Sequence, residues 1–199
     1  HSMGEYAAAA IAGTMDWDDA LRLTAARAKA IGELTAQGSM AVVFDSVQAV
    51  QEHLATCGSS LSVAAIDGPQ HVVVSGPRDE IETLSQRFRD AGTSMRPLRI
   101  AQAFHSRLIE PALESIERTL SGFELKTPRL RYVSTLTGQL ASAELCTANY
   151  WTRHSRQPVQ FLAALKSLAE LGCDLAVEIG PHPTLCTLGQ LNSDVALNY

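Results

Sequence analysis

Between residues 39 and 101 the chain switches between strand-like and helix-like patterning in an order that few folds accommodate. Ser39 to Phe44 is an apolar run of strand length, and Val47 to Thr56 carries helical spacing. Leu61 to Ile66 and His71 to Ser75 are two further strand-like runs. Between them lies Asp67-Gly68-Pro69-Gln70, whose residue types suit a hairpin connection. Arg78 to Ala91 is helical and stops at Gly92, and Ser94 to Ile100 closes the series as a strand. The resulting βαββαβ order is that of the ferredoxin-like split unit.

The flanking stretches belong to a different pattern. Tyr6 to Ala12 reads as a helix ending at Gly13. Asp16-Trp17-Asp18-Asp19 caps a longer amphipathic helix whose first-turn aspartates suit the helix dipole. Arg22 and Arg27 lie on that second helix, on different faces. After residue 101, a helix from Pro111 to Leu120 is followed by a strand from Leu130 to Ser134 and a helix from Pro158 to Leu171. Asp174 to Ile179 then reads as a buried parallel strand. Strand–helix alternation of this kind predicts a parallel sheet covered on both faces, with ligands beyond the carboxyl ends of its strands. The fold class expected is therefore α/β. Residues 1–38 and 102–199 form one large unit, and residues 39–101 form a smaller unit inserted into it.

Composition excludes several functions. The chain has 199 residues, 46% of them hydrophobic and 19% charged, which is enough apolar material for a substantial core. A net charge of −5 with no basic run argues against a nucleic-acid surface. No apolar stretch approaches the roughly 20 residues that span a bilayer. Cys57, Cys146, Cys173 and Cys186 share no metal-ligand spacing and read as free thiols, consistent with a cytoplasmic location. No metal site is expected.

The candidate chemistry begins at the first residues. His1-Ser2-Met3-Gly4-Glu5-Tyr6, running directly into an alanine-rich helix, is the second half of a nucleophile elbow, a sharp turn that exposes a serine Oγ. Ser2 is then the nucleophile, and Gly4 is expected to supply the unusual backbone conformation. The strand that leads into such an elbow is expected upstream. A nucleophilic serine needs a base within reach. Of the six histidines, His53 and His71 read as surface polar residues. His105 sits in the irregular segment Gln102-Ala103-Phe104-His105-Ser106 between a strand and a helix, where loops on a rigid scaffold carry function.

Five ordered blocks, HSMGEYAAAAIAG, AAIDGPQHVVVSG, AFHSRLIEPAL, RHSRQPVQF and EIGPHPTL, resemble the malonyl-CoA:acyl-carrier-protein transacylase family, including the acyltransferase domains of modular polyketide synthases. The resemblance spans essentially the whole chain. It implies an α/β-hydrolase-like large subdomain carrying the ferredoxin-like small one. By position it implies Ser2 as nucleophile, His105 as general base and the Met3 backbone N–H as an oxyanion donor. The family's second donor, from an upstream glutamine-glycine motif, is not in this sequence. A main-chain carbonyl orients the histidine in that family, and the position matched to it here is His154. Arg27 matches the arginine that holds the free carboxylate of a malonyl group, a task for which a planar, permanently charged guanidinium is suited.

Extender choice is implied by Gln102 and Phe104. Malonyl-selective relatives carry His-Ala-Phe-His before the base and methylmalonyl-selective ones Tyr-Ala-Ser-His; Phe104 fills the space an α-methyl needs, while Gln102 fits neither pattern. Asp67 stands where the family commonly has asparagine, and its carboxylate would repel an anionic substrate unless turned away. The implied activity is ping-pong transfer of a malonyl group from coenzyme A to the phosphopantetheine thiol of an acyl carrier protein. Neighbouring synthase domains are further partners, and no cofactor is required. An acyl hydrolase using the same dyad and an inactive docking scaffold are the alternatives.

Overall fold

The structure is a computed structural model that describes residues 1–56 and 59–199, so Cys57 lies outside the described residues. Helix α1 (Gly4–Ala12) starts two residues after Ser2 and stops at Gly13, whose φ of 81° is left-handed. The chain then folds back on the helix end, with Gly13 N–H donating to Ala10 O and Thr14 N–H to Ala9 O. A Cβ at residue 13 would also lie 2.5 Å from the Arg129 side chain. Helix α2 (Trp17–Gly32) follows an extended Asp16 and carries Asp18 and Asp19 in its first turn. Its buried stripe is Ala20, Leu23, Arg27, Ala30 and Ile31. A guanidinium therefore occupies an otherwise apolar face, whereas Arg22 is exposed and pairs with Asp19 at 3.5 Å.

The βαββαβ order is realised. Strands β1 (Gly38–Val43), β2 (Ser62–Gly68), β3 (His71–Pro77) and β4 (Met95–Pro97) form one sheet in the order β2-β3-β1-β4, with α3 (Val47–Thr56) and α4 (Arg78–Asp90) as the connecting helices. All three pairings are antiparallel, and β2 and β3 are joined across Pro69-Gln70. Alternation along β1 divides the sheet's two faces. Ala41 and Val43 pack with Ile81, Leu84 and Phe88 on the helical side. Met40 and Val42 face the other way, toward Val159, Phe161 and Leu165. Strand β4 is shorter than the Ser94–Ile100 run predicted, and beyond its ends the segment keeps backbone bonds to the β1 region, Phe44 N–H donating to Ser94 O and Leu98 N–H to Met40 O.

The remaining elements are α5 (Glu110–Leu120), β5 (Tyr132–Val133), β6 (Leu140–Ala141), α6 (Ala148–Arg156), α7 (Phe161–Glu170) and α8 (Thr184–Gln190). Helices α1, α2, α5 and α6 enclose a core in which Tyr6, Leu23, Ile116, Leu145 and Trp151 are essentially inaccessible. Each such large side chain contributes about 1.5–3 kcal/mol by leaving water.

Two expectations fail here. Leu130 to Ser134 yields only the two-residue β5, paired antiparallel with β6. Asp174 to Ile179 is extended but forms no strand; a single parallel bridge joins Leu175 to Asn198. Leu175, Val177 and Ile179, which alternate onto one face, are 63%, 71% and 92% exposed. An apolar run becomes a buried parallel strand only when neighbours flank it and helices cover it, and among the described residues it has one bridging partner and no cover on that face.

Candidate active site

The turn into α1 is tight. Gly4 N–H donates to His1 O at 3.1 Å and Glu5 N–H to Ser2 O at 3.0 Å. Ser2 itself takes the left-handed conformation, with φ of 47°, which is rare and costly for a residue with a side chain. Gly4, expected to carry that conformation, is instead the first residue of α1, and a Cβ there would meet nothing within 4 Å. The positive φ falls on the serine because the elbow turns at the residue it presents. Met3 N–H, at the start of the helix, makes no hydrogen bond within the described residues.

Ser2 Oγ lies 2.9 Å from His105 Nε2, although 103 positions separate the two residues. His105 Nδ1 lies 2.8 Å from Gln157 O. A carbonyl oxygen can only accept, so Nδ1 carries the hydrogen and Nε2 presents a lone pair to the serine hydroxyl. His105 is also left-handed, with φ of 57°. It is held there by Ser106, whose buried hydroxyl donates to Ala103 O at 2.7 Å and accepts from Leu108 N–H. Burial, reinforced by the charges of Arg27 and His154, lowers the imidazole pKa to about 3, against the smaller opposing effect of the Gln157 carbonyl. At neutral pH the ring is a free base.

The orienting carbonyl therefore belongs to Gln157, not to His154. Gln157 closes α6 in an extended conformation (φ −79°, ψ 162°), as the following Pro158 demands. Val159 then locks onto β2, donating to Ala64 O at 2.9 Å and accepting from Ile66 N–H at 2.8 Å. Helix end, proline and bridge together swing the Gln157 carbonyl toward the histidine. The Gln157-Pro158 dipeptide is the signal in the sequence that marks this residue.

His154 does different work. Its Nε2 lies 3.2 Å from Glu5 Oε2, both side chains being 3% exposed. Glu5 also accepts from Tyr150 OH at 2.7 Å, from Thr135 Oγ1 and from Thr135 N–H. Burial alone would raise the Glu5 pKa, but His154 and these hydrogen bonds bring it down to about 2. The second residue of α1 is thus tied to the 132–154 region by a buried polar cluster.

Ser2, Met3, Arg27, Phe104 and His105 all line one cavity of about 600 Å³. Arg27 is 4% exposed, and its Nε is buried without a hydrogen-bond partner. Among the described residues no carboxylate pairs with it. Its guanidinium carbon sits 5.3 Å from the centre of the Phe104 ring, a cation–π arrangement. A permanent charge held this way is unsatisfied, and a small anion in the cavity would satisfy it. Gln102 is not part of the lining. Asp67 does line it, but its carboxylate is occupied: His1 Nε2–H donates to Oδ1 at 3.0 Å, and His71 Nδ1 stands 3.7 Å from Oδ2. His71 is therefore a wall of the cavity rather than a surface residue. His53 is likewise half-buried, its ring tilted against Phe88 with centroids 4.7 Å apart and its Nδ1–H donating to Ala49 O. Cys146, Cys173 and Cys186 are free and take no part.

Residues 1–194 match the family model described as acyl transferase domain. The chain belongs to that family. This acyl transferase domain is 39% identical over 189 residues to polyketide synthase GfsA of Streptomyces halstedii, an alignment covering 94% of this chain and 2% of that protein. The acyltransferase domain from the second module of the salinomycin polyketide synthase superposes with a TM-score of 0.91 at 38% identity, over 96% of this chain and 45% of that one. A type II polyketide malonyl-transacylase, solved in complex with its acyl-carrier protein, superposes with a TM-score of 0.88 at 26% identity, over 98% of this chain and 65% of that one. The mixed α/β fold expected from the sequence is thus that of the family. No helix among the described residues is long and apolar enough to cross a membrane.

Proposed function

We propose that this domain transfers a malonyl group from a coenzyme A thioester to the phosphopantetheine thiol of an acyl carrier protein, through an ester on Ser2. The observation that carries the reading is the coincidence, in one cavity, of the Ser2–His105–Gln157 relay with a buried and unpaired Arg27. His105 Nε2 takes the Ser2 proton as Oγ attacks the thioester carbonyl, and the Met3 N–H stabilises the resulting oxyanion. Collapse breaks the C–S bond, and the departing thiolate receives the proton from Nε2. In the second half, the carrier thiol gives its proton to Nε2 and its sulfur attacks the ester carbonyl; Ser2 leaves with that proton. The Gln157 carbonyl holds the imidazole in the one tautomer that serves both halves.

Arg27 selects a dicarboxylic acyl group by pairing with its free carboxylate. Phe104, packed on that guanidinium, restricts the space beside the α-carbon and favours malonyl over branched extenders. No metal or redox group has a part in these steps. The carrier assignment is supported by the transacylase–carrier complex among the similar structures. The test is a single-turnover experiment with labelled malonyl-CoA and a holo carrier protein. Label appearing on the carrier faster than as free malonate supports transfer. Release as malonate at the same rate with and without the carrier would identify a hydrolase.

A further inference from the structure

A second cavity of about 610 Å³ lies at the free edge of the four-stranded sheet, between α4 and the segment after β4. Arg78, Arg89 and Arg99 line it together with Ser39 and Ser85; Glu82 is its one carboxylate. None of the three arginines pairs with an acid among the described residues, although Arg89 donates to Gln86 Oε1 at 2.7 Å. The groove continues past Ser85 and Arg89 into a smaller polar hollow of about 290 Å³, lined also by Thr93 and Ser94. Toward the catalytic cavity it is separated only by the residues after β4. Leu98 and Ile100 line both spaces.

The track thus runs from a reactive serine, over an apolar edge, to a cluster of guanidinium groups. From the geometry we infer that the arginine-lined groove binds the 3′-phosphorylated ADP moiety of the coenzyme A thioester, while the acyl end lies at Ser2. This rests on the proposed transferase reading and adds where the donor's nucleotide is held. The groove, like the donor, changes character along its length: the pantetheine arm is uncharged and crosses Leu98 and Ile100, and the phosphates are multiply anionic and suit planar, bidentate arginine donors. Three uncompensated cations around one carboxylate leave the groove net positive, which also draws an anionic donor toward it.

The groove side chains Arg78, Arg89 and Arg99 are exposed, so replacing them leaves the core intact. Binding of adenosine 3′,5′-bisphosphate, which has no thioester, is measured by calorimetry on the Ser2→Ala protein and on the same protein carrying Arg78→Ala and Arg99→Ala. The double change should weaken binding by about tenfold or more, as expected for losing charge-assisted contacts, and Glu82→Gln should strengthen it. In steady state the double variant should raise KM for malonyl-CoA without changing kcat, and should leave malonyl-pantetheine, which lacks the phosphates, unaffected. Absent bisphosphate binding, or equal binding by both proteins, overturns the inference. So does a KM increase confined to the carrier protein, which would make the groove a protein-docking surface. Failure of malonyl-pantetheine to acylate Ser2 in the otherwise unaltered domain would instead count against the transferase reading and leave the binding result to stand alone.

Discussion

In the proposed reading substrate choice turns on Arg27, whose buried Nε has no hydrogen-bond partner and which no carboxylate pairs with among the described residues. Such a group stays desolvated unless a ligand supplies the missing acceptors. Arg27→Ala should therefore cost one charge-assisted contact, about 1.5–3 kcal/mol, or one to two decades in kcat/KM for malonyl-CoA, while acetyl-CoA loses nothing. The same change has a second readout. Arg27 is among the groups that keep the His105 pKa low, so its removal should move the acidic limb of the acylation rate toward neutral pH. Equal losses for malonyl and acetyl donors, with an unmoved limb, would make Arg27 a structural residue. These two measurements separate recognition of the carboxylate from support of the base.

Among the elements, α1 matters most, since it delivers the serine and is anchored by Glu5. Glu5→Ala would leave the Tyr150 and Thr135 donors and the His154 ring without their buried acceptor, and removal of one partner from a buried pair typically costs about 3–5 kcal/mol. Glu5→Gln, which keeps the shape and part of the hydrogen bonding, should cost less. Chemical denaturation of both variants checks the order. Element by element, the sequence was legible where signals are local. The β-branched runs, the Asp67–Gln70 turn and the helical spacing of α3 and α4 sufficed for the order of the split unit. It was not legible where a neighbour decides: the 174–179 run has strand composition yet, among the described residues, only one bridging partner. Nor can spacing by itself reveal which side chains meet in the fold. Glu5 with His154 and Asp67 with His1 and His71 went unread, and the orienting carbonyl was placed three residues away from Gln157. Ser2, His105 and Phe104 were read through the ordered blocks of resemblance and Arg27 through its matched position, and all four line one cavity.

Across the whole molecule, the buried groups His105 and Glu5 act on the response to acid in the same direction, and the buried Asp67 carboxylate, whose pKa burial alone would raise but His1 and His71 bring down, adds to the effect of Glu5. His105 has a native pKa lowered to about 3 from 6.5, so below pH 6.5 the unfolded chain binds a proton that the native site refuses. Glu5 is lowered to about 2 from 4.5, so its stabilising contribution is complete above pH 4.5 and is lost as pH falls toward 2. Thermal stability should accordingly decline from pH 6.5 downward and steepen below 4.5, and Glu5→Gln should make the lower of these two phases smaller. A melting temperature constant between pH 7 and pH 4 would contradict the His105 assignment, and an unchanged decline below pH 4.5 in Glu5→Gln would contradict that of Glu5.

The central claim is that the serine at the strained turn, activated by a neutral His105, forms the acyl-enzyme. Incubation with malonyl-CoA, rapid acid quench and peptide mass mapping tests it most directly. A malonyl ester on the peptide containing Ser2 is predicted. It should be absent from Ser2→Ala and should form roughly 10²–10⁴-fold more slowly in His105→Ala, the usual worth of a general base. A stable adduct mapped to any other residue, or unchanged labelling of Ser2→Ala, would contradict the account.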